Sequence, residues 1–120
     1  MNYTSIEQSK KLLELGLSPK SADMWYAIVD NEPFICLEKR EEYDNIPCWS
    51  LAALLDAMPS IDYSYTTWIP IVFKKNKYHC NYESRSYVTP MYYTESNSCI
   101  DAAFEMVCLL LENGYIKKGE

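Results

Sequence analysis

The feature that most constrains the fold is a run from Ser98 to Gly114 that is apolar around most of a helical circumference. Only Asp101, Glu105 and Glu112 carry charge within it. A helix of this kind must be covered on several sides, so the run predicts a buried helix at the centre of the core. One face recurs at helical spacing and includes Ile100, Ala103, Phe104, Val107, Cys108 and Leu111. Truncation of Phe104 to alanine is therefore expected to cost about 3 to 5 kcal/mol.

Two further helices are predicted. Ser5 and Gln8 form a capping box, as do Thr4 and Glu7, and Gly16 ends the apolar pattern, which indicates a helix over about residues 5–15. Leucines and a methionine at i, i+3, i+4 and i+7 predict a helix over about residues 49–58. Pro19 favours one additional helical turn through Asp23.

Aromatic and β-branched runs predict two hairpins, formed by residues 25–29 with 34–37 and by residues 68–73 with 77–83. Pro70 cannot donate to a ladder, so its strand is expected at an edge or with a bulge. Residues 38–47 read as a solvated loop, and residues 86–94 favour a further edge strand. No strand–helix–strand alternation is visible. We therefore predict one α+β domain over residues 1–120, with three main helices on a small antiparallel sheet.

Composition restricts the classes of partner. Seventeen acidic against eleven basic residues give a formal charge of −6, which opposes general binding to nucleic acid. No apolar run approaches the roughly 18 residues of a membrane span, so no membrane partner is predicted. Five cysteines without a C-x-x-C motif favour reduced thiols and a cytoplasmic location.

The sequence gives no support for catalysis or for a cofactor. His79 is the only histidine, and its neighbour Cys80 is expected to point to the opposite face of a strand. One histidine and five scattered cysteines lack the spacing of a metal site. A small hydrolase or transferase using Asp101, Glu105 and His79 is the enzymatic alternative.

The leading functional hypothesis is a non-catalytic protein that binds another protein or itself, because tyrosine and tryptophan suit binding surfaces. Equally, these rings can fill the core of a small sheet. A nucleic-acid site on the second hairpin is the other alternative, since lysines beside aromatic rings can hold phosphates and stack bases. The candidate interaction surface comprises Tyr63, Tyr65, Trp68, Tyr87, Tyr92 and Tyr93. The candidate nucleic-acid patch comprises Lys74, Lys75, Lys77, Tyr78, Tyr82 and Arg85.

Three segments resemble a group of small proteins: residues 4–24 (TSIEQSKKLLELGLSPKSADM), 46–59 (IPCWSLAALLDAMP) and 101–118 (DAAFEMVCLLLENGYIKK). The chain looks like the uncharacterised short reading frames of prophages and mobile elements in Bacteroides-type gut bacteria. This resemblance implies a bacterial or phage cytoplasm, and it implies no activity, site residue or cofactor.

Overall fold

The computed structural model describes residues 2–119, which form three α-helices and seven antiparallel β-strands in two sheets. The helices are α1 (Ile6–Leu15), α2 (Leu51–Ala57) and α3 (Cys99–Glu112). The strands are β1 (Met24–Val29), β2 (Glu32–Cys36), β3 (Asp44–Cys48), β4 (Ile61–Tyr63), β5 (Thr66–Lys75), β6 (Lys77–Glu83) and β7 (Tyr93–Ser96). One sheet has the order β2-β1-β3 and the other β4-β5-β6-β7. The predicted α+β class, with three helices on antiparallel strands, is confirmed.

Helix α1 begins and ends where its sequence signals place it. The Ser5 hydroxyl accepts from the Gln8 backbone N–H at 3.1 Å, and the Gln8 side chain accepts from the Ser5 backbone at 2.9 Å, which completes a capping box. At the other end Gly16 adopts the left-handed conformation with φ 101°. The Leu17 N–H then reaches the Leu12 carbonyl at 2.9 Å, the long hydrogen bond of a Schellman motif.

Helix α3 lies in the centre of the core, as its apolar width predicts. Ser98 caps it, and eight of its side chains are buried, among them Met106, Val107 and Leu110. It packs against β6 and β7 on one side and against α1 and α2 on the other. Phe104 is only half-buried and lies at the rim of the core. The expectation that it is a deep core residue is therefore wrong.

The three-stranded sheet lies outside this main core and is joined through Thr4 to α1, where the Thr4 hydroxyl lies 2.8 Å from the Ser9 hydroxyl. The Thr4 N–H donates to the Trp49 carbonyl at 2.8 Å, the Thr4 hydroxyl accepts from the Trp49 N–H at 3.0 Å, and the Tyr26 hydroxyl donates to the Thr4 carbonyl at 2.7 Å. The first predicted hairpin is present, with Asp30 and Asn31 at φ 51° and 66° in a two-residue turn. The interpretation of residues 38–47 as a loop is wrong at its end, because Asp44–Cys48 pairs with β1.

The four-stranded sheet contains the second predicted hairpin, extended by one strand on each side. Strand β4 pairs only with residues 66–68 of β5, so β5 is an edge from residue 69 onward. Pro70 lies in this edge portion, as expected for a residue without an N–H. Its partner Tyr82 directs its own N–H and carbonyl to Tyr92 and Met91. The predicted strand over residues 86–94 is shifted, because regular pairing covers only Tyr93–Ser96.

The molecule is elongated, with principal extents of 52 × 33 × 19 Å. Its radius of gyration of 15.3 Å exceeds the roughly 14 Å of a compact domain of this length. Among the described residues, no helix combines the length and apolar character needed to cross a membrane.

Candidate interaction surface

The face of the four-stranded sheet opposite α3 carries an apolar stripe. Along β5 the side chains alternate: Trp68 and Val72 pack towards the core, whereas the odd-numbered residues point away from it. Ile69, Ile71 and Phe73 therefore remain 47%, 39% and 38% exposed. A strand that is apolar on both faces is typical of a sheet covered on both faces. Within residues 2–119, only one face of this sheet is covered. We call the uncovered side the open sheet face.

Polar residues of β6 and β7 border the stripe. The register places Glu83, Asn81 and His79 opposite Ile69, Ile71 and Phe73, respectively. The His79 ring stacks on Phe73 with centroids 4.9 Å apart, and its Nδ1 lies 3.8 Å from Glu95 Oε2. The Asn81 amide donates to Glu83 at 2.8 Å. The stacking contact and the Asn81–Glu83 hydrogen bond restrict these side chains, so the open sheet face is an apolar strip with a polar margin.

A shallow groove of about 370 Å³ lies at the β4 end of this face. Ile69 and Ile71 form its apolar wall, and Glu83 and Arg85 line its other side. Asp62 is close by on β4, where its carboxylate accepts from the Thr67 hydroxyl at 2.7 Å. The groove thus combines an apolar wall with charged groups of both signs.

The tyrosines predicted to form one interaction surface are divided by the sheet. Tyr93 lies on the open sheet face, since its neighbour Thr94 is buried against α3. Tyr63 projects to the helix side, as does Tyr92, whose ring meets Tyr115 edge-on at 5.9 Å. The prediction of a single surface is therefore wrong in its geometry.

Trp68, Tyr87 and Tyr65 belong to the end of the sheet near the β4–β5 turn. Trp68 is buried and stacks on Tyr87 with centroids 5.4 Å apart, which corrects its assignment to the surface. The Tyr87 hydroxyl lies 2.8 Å from the Ser64 hydroxyl, so this exposed ring braces the turn. Tyr65 is fully exposed at φ 63°, a conformation that costs a non-glycine residue free energy. The stability of the fold does not explain why a tyrosine occupies this position.

The predicted nucleic-acid patch does not come together. Lys74, Lys75 and Lys77 are exposed at the β5–β6 tip, and the Lys74 ammonium lies 5.3 Å from the centre of the half-buried Tyr78 ring. Tyr82 has no exposed surface, and its hydroxyl donates to the Pro59 carbonyl at 2.8 Å, so it cannot stack a base. Arg85 follows the far end of β6, about 26 Å from Lys77 at 3.3 Å per residue.

The three residues of the enzymatic alternative lie on opposite sides of the sheet. His79 belongs to the open sheet face, while Asp101 and Glu105 belong to α3 on the other side. Asp101 accepts a 2.7 Å hydrogen bond from the Gln8 amide. Burial and the Asp101 carboxylate raise the pKa of Glu105. The two carboxylates influence each other, but the imidazole cannot join them in one site.

The cysteines are all unpaired, and three of them, Cys48, Cys80 and Cys108, are buried. Burial raises the pKa of the Cys80 thiol to about 12 and that of Cys108 to about 11, which keeps both protonated and unreactive at neutral pH. Within residues 2–119, no three histidine, cysteine or acidic side chains are grouped as metal ligands would be.

Sequence reasoning missed the stripe on the open sheet face, although a signal was present. The apolar run Trp68-Ile69-Pro70-Ile71-Val72-Phe73 does not alternate, which indicates a strand to be covered on both sides. No protein-family model matches the chain, and no curated protein or solved structure shows significant similarity to it.

Proposed function

We propose that this protein is a non-catalytic interaction protein that binds a protein surface through the open sheet face. The observation that carries the proposal is the exposed stripe of Ile69, Ile71 and Phe73 along one strand. Contiguous exposed apolar side chains with a polar margin are the usual composition of a protein-binding site. Stacking of the His79 ring on Phe73 restricts both side chains before binding, which lowers the side-chain entropy lost on binding.

Binding across the face is favoured over addition of a strand to the β5 edge. Pro70 removes an N–H from the free edge, and lysines at positions 74 and 75 place charge at its end. Natural edge strands use both devices to prevent pairing with another strand. The side chains of the face, rather than the backbone of the edge, supply the binding surface.

The biological setting in this proposal is the bacterial cytoplasm. Five unpaired cysteines suit a reducing compartment. The likeness of the helical segments to small prophage proteins supports an accessory role in a mobile element. Location of the gene among phage or transposition genes would agree with this role, whereas a gene inside an operon of housekeeping enzymes would contradict it.

Photo-crosslinking in living cells tests the binding surface. A photoreactive phenylalanine analogue replaces Phe73 in one version of the full chain and Leu37 in the control version. Leu37 is 78% exposed but follows β2 on the other sheet. We expect discrete protein adducts from position 73 and none from position 37. Absence of adducts from position 73, or equal adducts from both positions, would contradict an interaction at the open sheet face.

A further inference from the structure

The charges around the open sheet face identify a partner for it. We infer that the occupant is a second copy of this chain, packed face to face about a two-fold axis that runs across the strands. This inference rests on the proposed interaction function and names its partner.

Opposite charges mark the two ends of the face. The end near β4 carries the Asp62 and Glu83 carboxylates, and the β5–β6 tip carries Lys75 and Lys77. Arg85 lies at the first end and cancels one of its two negative charges, so that end remains net negative. Glu95 lies at the second end and cancels one of its two positive charges, so that end remains net positive. The apolar stripe separates them.

A two-fold axis through the Ile71–Asn81 pair reverses these ends. Each β5 then crosses the partner's β5 in the opposite direction, so Ile71 meets the partner's Ile71 and Phe73 meets the partner's Ile69. Lys75 falls beside the partner's Asp62, and His79 falls opposite the partner's Glu83. Lys77 comes level with the partner's Arg85, so the favourable contacts of this arrangement are those of Lys75 and His79. A single surface thus supplies both halves of a complementary contact, as an isologous interface requires. The usual sheet-on-sheet angle of about −30° is compatible with this arrangement.

The available area suits a reversible dimer. Four strands spaced about 4.8 Å apart span about 19 Å, and the ten residues of β5 span about 33 Å. The face is therefore at most about 600 Å² per protomer, near the lower limit of specific interfaces. We therefore expect the dimer to be weak, so that the fraction of dimer rises with protein concentration.

Molar mass measured over a concentration range tests the inference. Sedimentation or light scattering should show a shift from 14.0 kDa towards twice that mass as concentration rises to about 1 mM. Ile71→Lys should weaken dimerisation at least about tenfold, because it places a charge at the two-fold axis. Leu37→Lys adds the same charge to the other sheet and should leave the dimer unchanged. A monomer at every concentration, or a dimer insensitive to Ile71→Lys, would overturn the inference.

Charge reversal gives a second, independent test. Asp62→Lys with Glu83→Lys makes both ends positive, and Lys75→Glu with Lys77→Glu makes both ends negative. Each double variant alone should dimerise at least about tenfold more weakly, since like charges then face each other. A mixture of the two should recover a heterodimer. All four side chains are in strands at the sheet surface, and circular dichroism verifies that the variants fold. Failure of the mixture to recover association would overturn the two-fold arrangement.

The crosslinking experiment separates this inference from the proposed function. Adducts from position 73 at twice the mass of the chain support self-association. Adducts with a different protein alone would retain the interaction function and overturn the second copy as occupant. No adducts at all would contradict both.

Discussion

The Gln8 side-chain amide donates a 2.7 Å hydrogen bond to the Asp101 carboxylate, joining the first turn of α1 to the first turn of α3 across 93 residues of sequence. The same Gln8 side chain accepts from the Ser5 N–H in the capping box. Asp101 is in turn positioned by Ser98, whose hydroxyl accepts from the Asp101 N–H at 3.3 Å. Two helix caps are therefore linked through one side-chain contact between Gln8 and Asp101.

The link between the caps predicts a measurable cost for its removal. Asp101→Ala should lower the free energy of unfolding by about 1 to 2 kcal/mol, because it removes a charge-assisted hydrogen bond and a favourable charge at a helix N-terminus. Asp101→Asn retains an acceptor and should cost less. Urea denaturation of Asp101→Ala, Gln8→Ala and the double variant isolates the pair in a double-mutant cycle. A coupling energy close to zero would show that the contact contributes nothing to stability.

Local signals explain why the helices were predictable. The capping box of Ser5 and Gln8 and the left-handed Gly16 operate within a few residues, so their outcome does not depend on distant partners. The apolar width of α3 likewise predicts its central position before any partner is known. The α+β class follows from these helices and from the two hairpins, each closed by a short turn.

Long-range pairing explains what the sequence did not reveal. Strand β3 contains Asp44, Asn45 and Pro47, which all disfavour strands, and it is held by pairing with β1 about twenty residues earlier. On β5, the continuous apolar run conceals which alternate residues face the core. That choice depends on the contact of Trp68 with the core, and it decides that the odd-numbered residues form the open sheet face. The tyrosines were prominent in the sequence, but the alternation of side chains along the strands places Tyr93 on the open sheet face and Tyr63 on the helix side.

The burial of α3 predicts that truncation of a smaller side chain costs more than truncation of a larger one. Leu110 is fully buried in the core, so Leu110→Ala should lower the free energy of unfolding by about 2 to 5 kcal/mol. Phe104 is half-buried at the rim, and Phe104→Ala should cost about 1 to 2 kcal/mol because the site can fill with water or relax. Chemical denaturation of both variants gives the comparison. A larger loss for Phe104→Ala would contradict the orientation of α3.

The buried thiols predict that stability decreases at alkaline pH. Burial raises the pKa of Cys80 from 9.0 to about 12 and that of Cys108 from 9.0 to about 11. In the unfolded chain both thiols lose their protons near pH 9.0, whereas the folded chain keeps them. Their contribution to stability is therefore complete below about pH 9 and is lost as the pH rises towards about 11 to 12.

Denaturation midpoints recorded between about pH 8 and about pH 11 test this dependence. Cys80→Ala removes one of the titrating groups, so its midpoint should fall less steeply with pH than that of the unaltered chain. Val107→Ala also truncates a fully buried side chain but removes no ionisable group, and its pH slope should equal that of the unaltered chain. Identical slopes for all three proteins would exclude the Cys80 thiol as a source of alkaline instability.

The β4–β5 turn predicts a substitution that stabilises the protein. Ser64 and Tyr65 occupy its two central positions at φ 56° and 63°, the backbone of a type I′ turn, which prefers glycine at the second position. Tyr65→Gly should raise the free energy of unfolding by about 0.5 to 1 kcal/mol, since glycine adopts this conformation without the steric cost of a Cβ atom. Tyr65→Ala removes the same fully exposed ring but keeps the Cβ atom, so it should give no such gain. Thermal or urea unfolding of the two variants, measured side by side, isolates the backbone effect. If the glycine variant is no more stable than the alanine variant, the turn does not store the strain inferred from its backbone angles.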